Sequence, residues 1–302
     1  MPKNKSYPTL SEIYRRAWES CVALWPLFIV RFVFVVVNFG AIFLCLFLVC
    51  WPFIQTLWKV FKDSEGRNYA DVIKGMDFTS FVPDVHWILM AVGMALLFII
   101  WWVLLGALFD SGMYARLRGY QENEEPFSIR NYFLDGIRYM FPMIGLWIVW
   151  LVIFMAVLLA GFLLVLFLVV LFKALSIPWW FGIILGIPGG FASVVVMIGL
   201  GAYASVAGAY LMEGKGVVSA LGSSFRKCWE DYGRVVWGIL LVWVIYIVFS
   251  IAFQTVMEIL GHIPLLGVFF ILIEFLANLV LSIAIWVFMP ALAVAFSLEK
   301  ES

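Results

Sequence analysis

Charge is what this sequence has least of. Asp, Glu, Lys and Arg make up 13% of its 302 residues, against roughly 25% in a soluble domain. A surface so poor in charge cannot face water on all sides, which excludes a soluble globular fold. Histidine occurs twice and cysteine four times. Neither Cys21 with Cys228 nor Cys45 with Cys50 has metal-site spacing, and His86 and His262 form no ligand cluster, so no metal or cofactor is expected. Basic and acidic residues balance at 19 each, which removes the positive footprint that nucleic acid attracts. No phosphate-cradling loop and no GxSxG elbow occurs, and an enzyme is not expected.

Apolar residues are abundant, at 65%, and they come in unbroken runs. Stretches free of Asp, Glu, Lys and Arg cover 32–58, 85–109, 139–172, 174–212 and 235–257, and 259–298 is interrupted only by Glu274. About 20 apolar residues suffice for a helix to cross the hydrocarbon core. Runs this long exclude a β-barrel, whose strands alternate over roughly ten residues. Lys173 and Ser176-Ile177-Pro178 divide the third span from the fourth, and Gly261-His262-Ile263-Pro264 makes a tight turn between the last two. The expectation is an all-α, polytopic six-transmembrane-helix bundle in a single integral membrane domain covering 1–302. Its spans run at about 25–50, 86–112, 140–172, 178–210, 234–260 and 265–296. No cleaved signal peptide is expected, because the basic amino-terminal region leads into an amphipathic segment and no small-x-small site follows.

Six crossings place both termini on one side. That side carries thirteen Lys and Arg residues, from Lys3 to Lys300, and the opposite side carries five. The positive-inside rule then predicts cytoplasmic termini in the plasma (inner) membrane. Trp51, Trp87, Trp179 and Trp180 read as an outer aromatic belt and Trp25 as an inner one.

Three cytoplasmic segments share a pattern. In the first, Leu10, Ile13, Tyr14, Ala17, Trp18 and Cys21 lie on one helical face, and Thr9 with Glu12 makes a capping box. The second carries Ile129, Tyr132, Phe133, Ile137 and Met140, and the third Leu221, Phe225, Cys228, Trp229 and Tyr232. Each leads into a span, which predicts three repeats of amphipathic helix plus transmembrane hairpin, at about 8–118, 126–214 and 217–298. Such helices are expected in the interface plane, apolar face toward the acyl boundary and basic face toward anionic headgroups. They serve either as a lipid- or partner-recognising collar or simply as anchors. A short surface helix through Tyr69, Val72, Ile73 and Met76 is expected in the outer loop.

Ionisable groups inside a span are candidate sites by default. Glu274 lies about ten residues, or roughly 15 Å, into the last span, and Asn278 and Ser282 extend its face. Gln254, Ser250 and Glu258 share a face of the preceding helix, so antiparallel pairing brings Gln254 or Ser250 toward Glu274. Arg31 either snorkels to headgroups or, with Asn38, approaches Glu274 and keeps it ionised. The binding candidates are therefore Glu274, Asn278, Gln254, Arg31 and Asn38. Asp110, at the end of the second span, calls for no special explanation. In the fourth span, Gly182 to Gly190 with Pro188, then Gly199, Gly201, Ser205 and Ala209, permit close packing or a local break.

Ala220-Leu221-x-x-Ser224, the stretch from Gly201-Ala202-Tyr203 to Glu213-Gly214, and the six spans resemble a large group of prokaryotic membrane proteins. That group looks related to the membrane domain fused to some glycerophosphodiester phosphodiesterases. The resemblance covers most of the chain and implies a compact six-helix fold. The phosphodiesterase's catalytic domain has no counterpart here, so it implies no lipid hydrolysis. The function expected is a non-enzymatic scaffold or accessory subunit that binds membrane lipid, a membrane-protein partner or a second copy of itself. The alternative is a small transporter or channel built on the Glu274 seam.

Overall fold

The computed structural model describes residues 9–63, 85–175, 199–261 and 267–299, with positions 181 and 196. Among them are eight helices and no strand. They are α1 (Leu10–Ala23), α2 (Pro26–Asp63), α3 (Val85–Asn123), α4 (Ile129–Ala174), α5 (199–211), α6 (Val217–Glu230), α7 (Tyr232–Gly261) and α8 (Gly267–Ser297). Among the described residues, five stretches are long and apolar enough to cross a membrane: Pro26–Trp51, Trp87–Asn123, Ile129–Ala174, Tyr232–Leu260 and Phe269–Ser297. These are the properties of a membrane-embedded helical protein. The fourth expected span is described only from residue 199 onward, apart from positions 181 and 196. Its Gly182–Gly190 stretch, the outer-loop helix, Trp179, Trp180, and the turn at His262–Pro264 lie outside the described residues.

Local chemistry explains the helix starts. The Thr9 hydroxyl accepts from the Glu12 amide while the Glu12 carboxylate accepts from the Thr9 amide at 2.6 Å, closing the expected capping box. Ser128 caps α4 by accepting from the Asn131 amide. The chain breaks between α1 and α2 at Leu24-Trp25 and between α6 and α7 at Asp231, whereas α4 continues through Pro142 without interruption. Gly214, just past α5, holds a φ of +78°, where a side chain would be strained.

The helices fall into two units. The first comprises residues up to Arg31 and from Ala107 onward. Its centre is the last third of α8, where every residue from Met289 to Ser297 is buried. A helix apolar on all sides belongs inside, and the alternation Ala291, Ala293, Ala295 lets neighbours approach closely. α1 packs along α8, α7 pairs with α8, and α6 touches both α7 and α4.

The buried positions of α1 are Ile13, Ala17, Ser20 and Cys21, and those of α6 are Ala220, Ser224, Lys227 and Cys228, the same i, i+4, i+7, i+8 spacing. The α1 face expected at the acyl boundary thus turns inward onto α8, with the Tyr14 ring stacked on Phe288 at 6.3 Å. The physical reason is that an apolar stripe gains as much from a protein surface as from lipid and gains dense packing besides. Trp18, Val22 and Trp25 remain exposed.

Glycine sets the close approaches in this unit. A Cβ on Gly112 would stand 2.6 Å from the Tyr132 carbonyl oxygen, and one on Gly136 would stand 2.7 Å from that of Leu108. At this α3–α4 crossing Ser111 donates to the Gly136 carbonyl at 2.8 Å and Tyr132 donates to that of Phe109 at 2.7 Å. Similarly, Ser224 of α6 donates to the Tyr203 carbonyl of α5 at 2.6 Å.

The second unit, Phe32–Gly106, holds most of α2 and the first part of α3. Its side chains are largely exposed apolar ones, such as Phe43, Leu44, Leu96 and Leu97. Trp87 ties the two helices by donating to the Val49 carbonyl at 2.8 Å.

Candidate functional site

One ion pair joins the boundaries of two apolar runs. Arg31 is the last charged residue before the run 32–58, and Asp110 is the first after 85–109. Because α2 and α3 run to and fro, those positions fall at the same end. There Arg31 Nη1 donates to Asp110 Oδ1 at 2.5 Å, with side chains 12% and 22% exposed. The guanidinium also lies over the Trp286 ring, 4.7 Å from its centroid, a cation–π contact that strengthens as water is removed.

Two crevices meet at Asp110. One, of about 350 Å³, runs past Arg31, Asp110, Ser205, Trp243 and Trp286. The other, of about 200 Å³, is bounded by α3, α4 and α5 and lined by Asp110, Tyr114, Trp147, Trp150 and Ser205. Asp110, Tyr114 and Ser205 belong to both walls. Ser205 donates to the Gly201 carbonyl at 3.0 Å and hydrogen-bonds the Tyr114 phenol. Gly208 makes room for that ring, which a Cβ would meet at 3.0 Å. A small number of polar groups converging in an otherwise apolar cleft is the usual form of a small-molecule site.

Beyond this pair lies a network of charge. Arg116 pairs with Asp135 and Glu125, Arg118 with Glu122 and Glu213, and Lys215 with Glu213. Glu299, only 3% exposed, receives Arg234 at 2.7 Å and Lys227 at 3.2 Å, and Lys227 also meets Asp231 at 2.9 Å. Five of the thirteen cations counted on the terminal side are therefore paired with carboxylates here: Arg116, Arg118, Lys215, Lys227 and Arg234. Burial by itself would lower the Lys227 pKa, but the hydrogen bond to Asp231 and the charges of Glu299 and Asp231 raise it on balance. Burial pushes the Cys21 and Cys228 thiols up to about 12. Among the described residues no three His, Cys, Asp or Glu side chains gather as a metal ion would require.

The sequence-derived candidates scatter. Arg31 meets Asp110 and not Glu274. Its aromatic partner Trp286 is twelve positions along α8 from Glu274, roughly 18 Å at the helical rise. Glu274 and Asn278 are partly exposed, and no hydrogen bond or ion pair joins Glu274 to a described residue. Gln254 is exposed on α7, turned away from the expected contact. Across the same pair of helices it is Ser282 that meets a polar group, the Tyr246 hydroxyl at 3.4 Å. Asn38, 7% exposed, belongs to the second unit and donates to its own helix at the Phe34 carbonyl, 2.8 Å away.

Sequence reasoning passed over Asp110, Tyr114 and the tryptophans of α4, α7 and α8. The readable signal was that Arg31 and Asp110 each border an apolar run at ends that antiparallel helices bring together. Comparison with protein-family models, curated proteins and solved structures finds no match, so the site is read from its own chemistry.

Proposed function

We propose that this chain is a non-enzymatic integral membrane protein that binds membrane phospholipid at the crevices flanking the Arg31–Asp110 pair. The observation that carries this reading is the conjunction of a charge pair with four tryptophans, Trp147, Trp150, Trp243 and Trp286, in the walls of two adjoining clefts. Headgroups need charged or hydrogen-bonding partners and acyl chains need apolar walls. Indole rings, amphipathic in themselves, favour the depth at which the two meet. In this reading the charged network borders the cytoplasmic surface of the plasma (inner) membrane, with both termini there. A sixth span completes three repeats, each opened by an interfacial helix. The pairing of the start of α4 with α3, of α6 with α5, and of α1 with α8 supports that repeat, because each opening helix rests on the helix that closes the preceding unit in a ring.

Native mass spectrometry of the protein released from lipid nanodiscs tests the proposal. Wild type should retain phospholipid, and the pair Trp147→Ala with Trp286→Ala should lose most of it while keeping its helical circular dichroism. Equal retention by wild type and variant, or none by wild type, would overturn the reading.

A further inference from the structure

The α3–α4–α5 crevice has a chemistry distinct from that of its neighbour. The cation of the site, Arg31, lines the neighbouring cleft, while the carboxylate Asp110 lines both. Asp110 spends Oδ1 on Arg31, and no hydrogen bond from a described residue reaches Oδ2. Its side chain is 22% exposed, so a ligand can reach it. In the same wall stand two hydroxyls, of Tyr114 and Ser205, and two indole rings, of Trp147 and Trp150. Trp150 Nε1 is buried with no acceptor among the described residues. Buried donors are rarely left so, and each one calls for an explanation.

An available carboxylate oxygen, hydroxyl acceptors and tryptophan faces together select a cation that also carries N–H donors. An ammonium group meets that description: it has three donors and no acceptor, and an indole face attracts it more than any other ring. The volume of about 200 Å³ admits a two-carbon amine. The cleft next door presents a guanidinium that prefers phosphate oxygens.

We propose that the α3–α4–α5 crevice is an alkylammonium site, in which Asp110 Oδ2 with the Tyr114 and Ser205 hydroxyls accepts from the primary ammonium of a lipid headgroup. The phosphate of the same headgroup then lies toward Arg31, and the Trp150 N–H gains a ligand oxygen as acceptor. This inference rests on the phospholipid reading above and adds the headgroup class.

The test uses the full chain in nanodiscs with phosphatidylethanolamine, phosphatidylcholine and phosphatidylglycerol of identical acyl chains, with retention read by native mass spectrometry. Wild type should favour phosphatidylethanolamine over phosphatidylglycerol by about tenfold, the order expected of one charge-assisted hydrogen bond. Asp110→Asn should abolish that preference, and Trp150→Phe and Ser205→Ala should each reduce it several-fold. The latter two keep the test decisive if Asp110→Asn does not fold. Free ethanolamine competing at millimolar concentration would assign the site to the amine alone. Competition by intact lipid only would assign it to the headgroup in its membrane setting. Phosphatidylcholine bound as well as phosphatidylethanolamine would overturn the N–H requirement, and retention of all three lipids alike would overturn the inference while leaving lipid binding in place. Retention of none would overturn the lipid reading itself.

Discussion

Arg31 and Asp110 are 79 positions apart in the chain, yet Nη1 of the one lies 2.5 Å from Oδ1 of the other. The pair fixes the start of α2 against the latter part of α3, and Trp286 beneath the guanidinium brings α8 into the same arrangement. Removing one partner strands a poorly solvated charge, whereas removing both does not. Arg31→Met or Asp110→Leu alone should therefore destabilise the protein in detergent by about 3 kcal/mol. The double variant Arg31→Met with Asp110→Leu should lie within about 1 kcal/mol of wild type. A double-mutant cycle from denaturant midpoints measures the coupling, and additive single effects would show that the pair is not energetically joined.

The α3–α4 crossing is limited by backbone. Gly136→Ala places a methyl group 2.7 Å from the Leu108 carbonyl oxygen, which has no free rotor to give way. The helices must separate and weaken the 2.8 Å bond from Ser111 to the Gly136 carbonyl. A loss of about 1–3 kcal/mol is expected, seen as a lower thermal midpoint. Gly222→Ala, whose Cβ meets nothing within 4 Å, should be neutral or slightly stabilising by helix propensity.

Alkaline pH should unfold the protein through its buried thiols. Cys21 and Cys228 are raised by burial from 9.0 to about 12. An unfolded chain ionises them first, so their contribution is complete below pH 9 and declines as pH rises toward 12. Lys227, raised above 10.5 by its carboxylate partners, acts in the same direction at the upper end of that window. Stability should be flat from pH 6 to about 9 and then fall, with the Cys21→Ala, Cys228→Ala variant falling less steeply. Thiol reagents at pH 8 should modify Cys50, which is exposed, well before Cys21 or Cys228.

Glu274 serves as a counter-test. Its carboxyl group is partly exposed on an apolar helix and joined to no described residue by hydrogen bond or ion pair. Glu274→Leu should raise the thermal midpoint and leave phospholipid retention unchanged. A fall in retention would move the functional centre to that part of α8.

Spans and caps were legible because they depend on local composition. Runs free of charge mark five of the helices, and Thr9 with Glu12 forms the capping box that their spacing implies. Partnership was harder to read. Nothing in the neighbourhood of Glu274 indicates that Gln254 turns outward, and rotation about a uniformly apolar helix such as α7 has little sequence signature. Arg31 read as an isolated cation because its partner is at the far end of a hairpin. The inward turn of α1 was hidden for a related reason: a stripe of Ile13, Ala17 and Cys21 suits lipid and protein equally well.

The packing of α1 along α8 has a consequence for biosynthesis. α1 is synthesised well before α8, on which it rests, so its inward stripe lacks that surface until α8 has been made. During that interval Ile13, Ala17 and Cys21 must wait at the bilayer surface or in the care of an insertion factor. A nascent chain cut short before Met289 would leave α1 without its seat, and quality control that senses a loose α1 would in effect be reading whether α8 has been made.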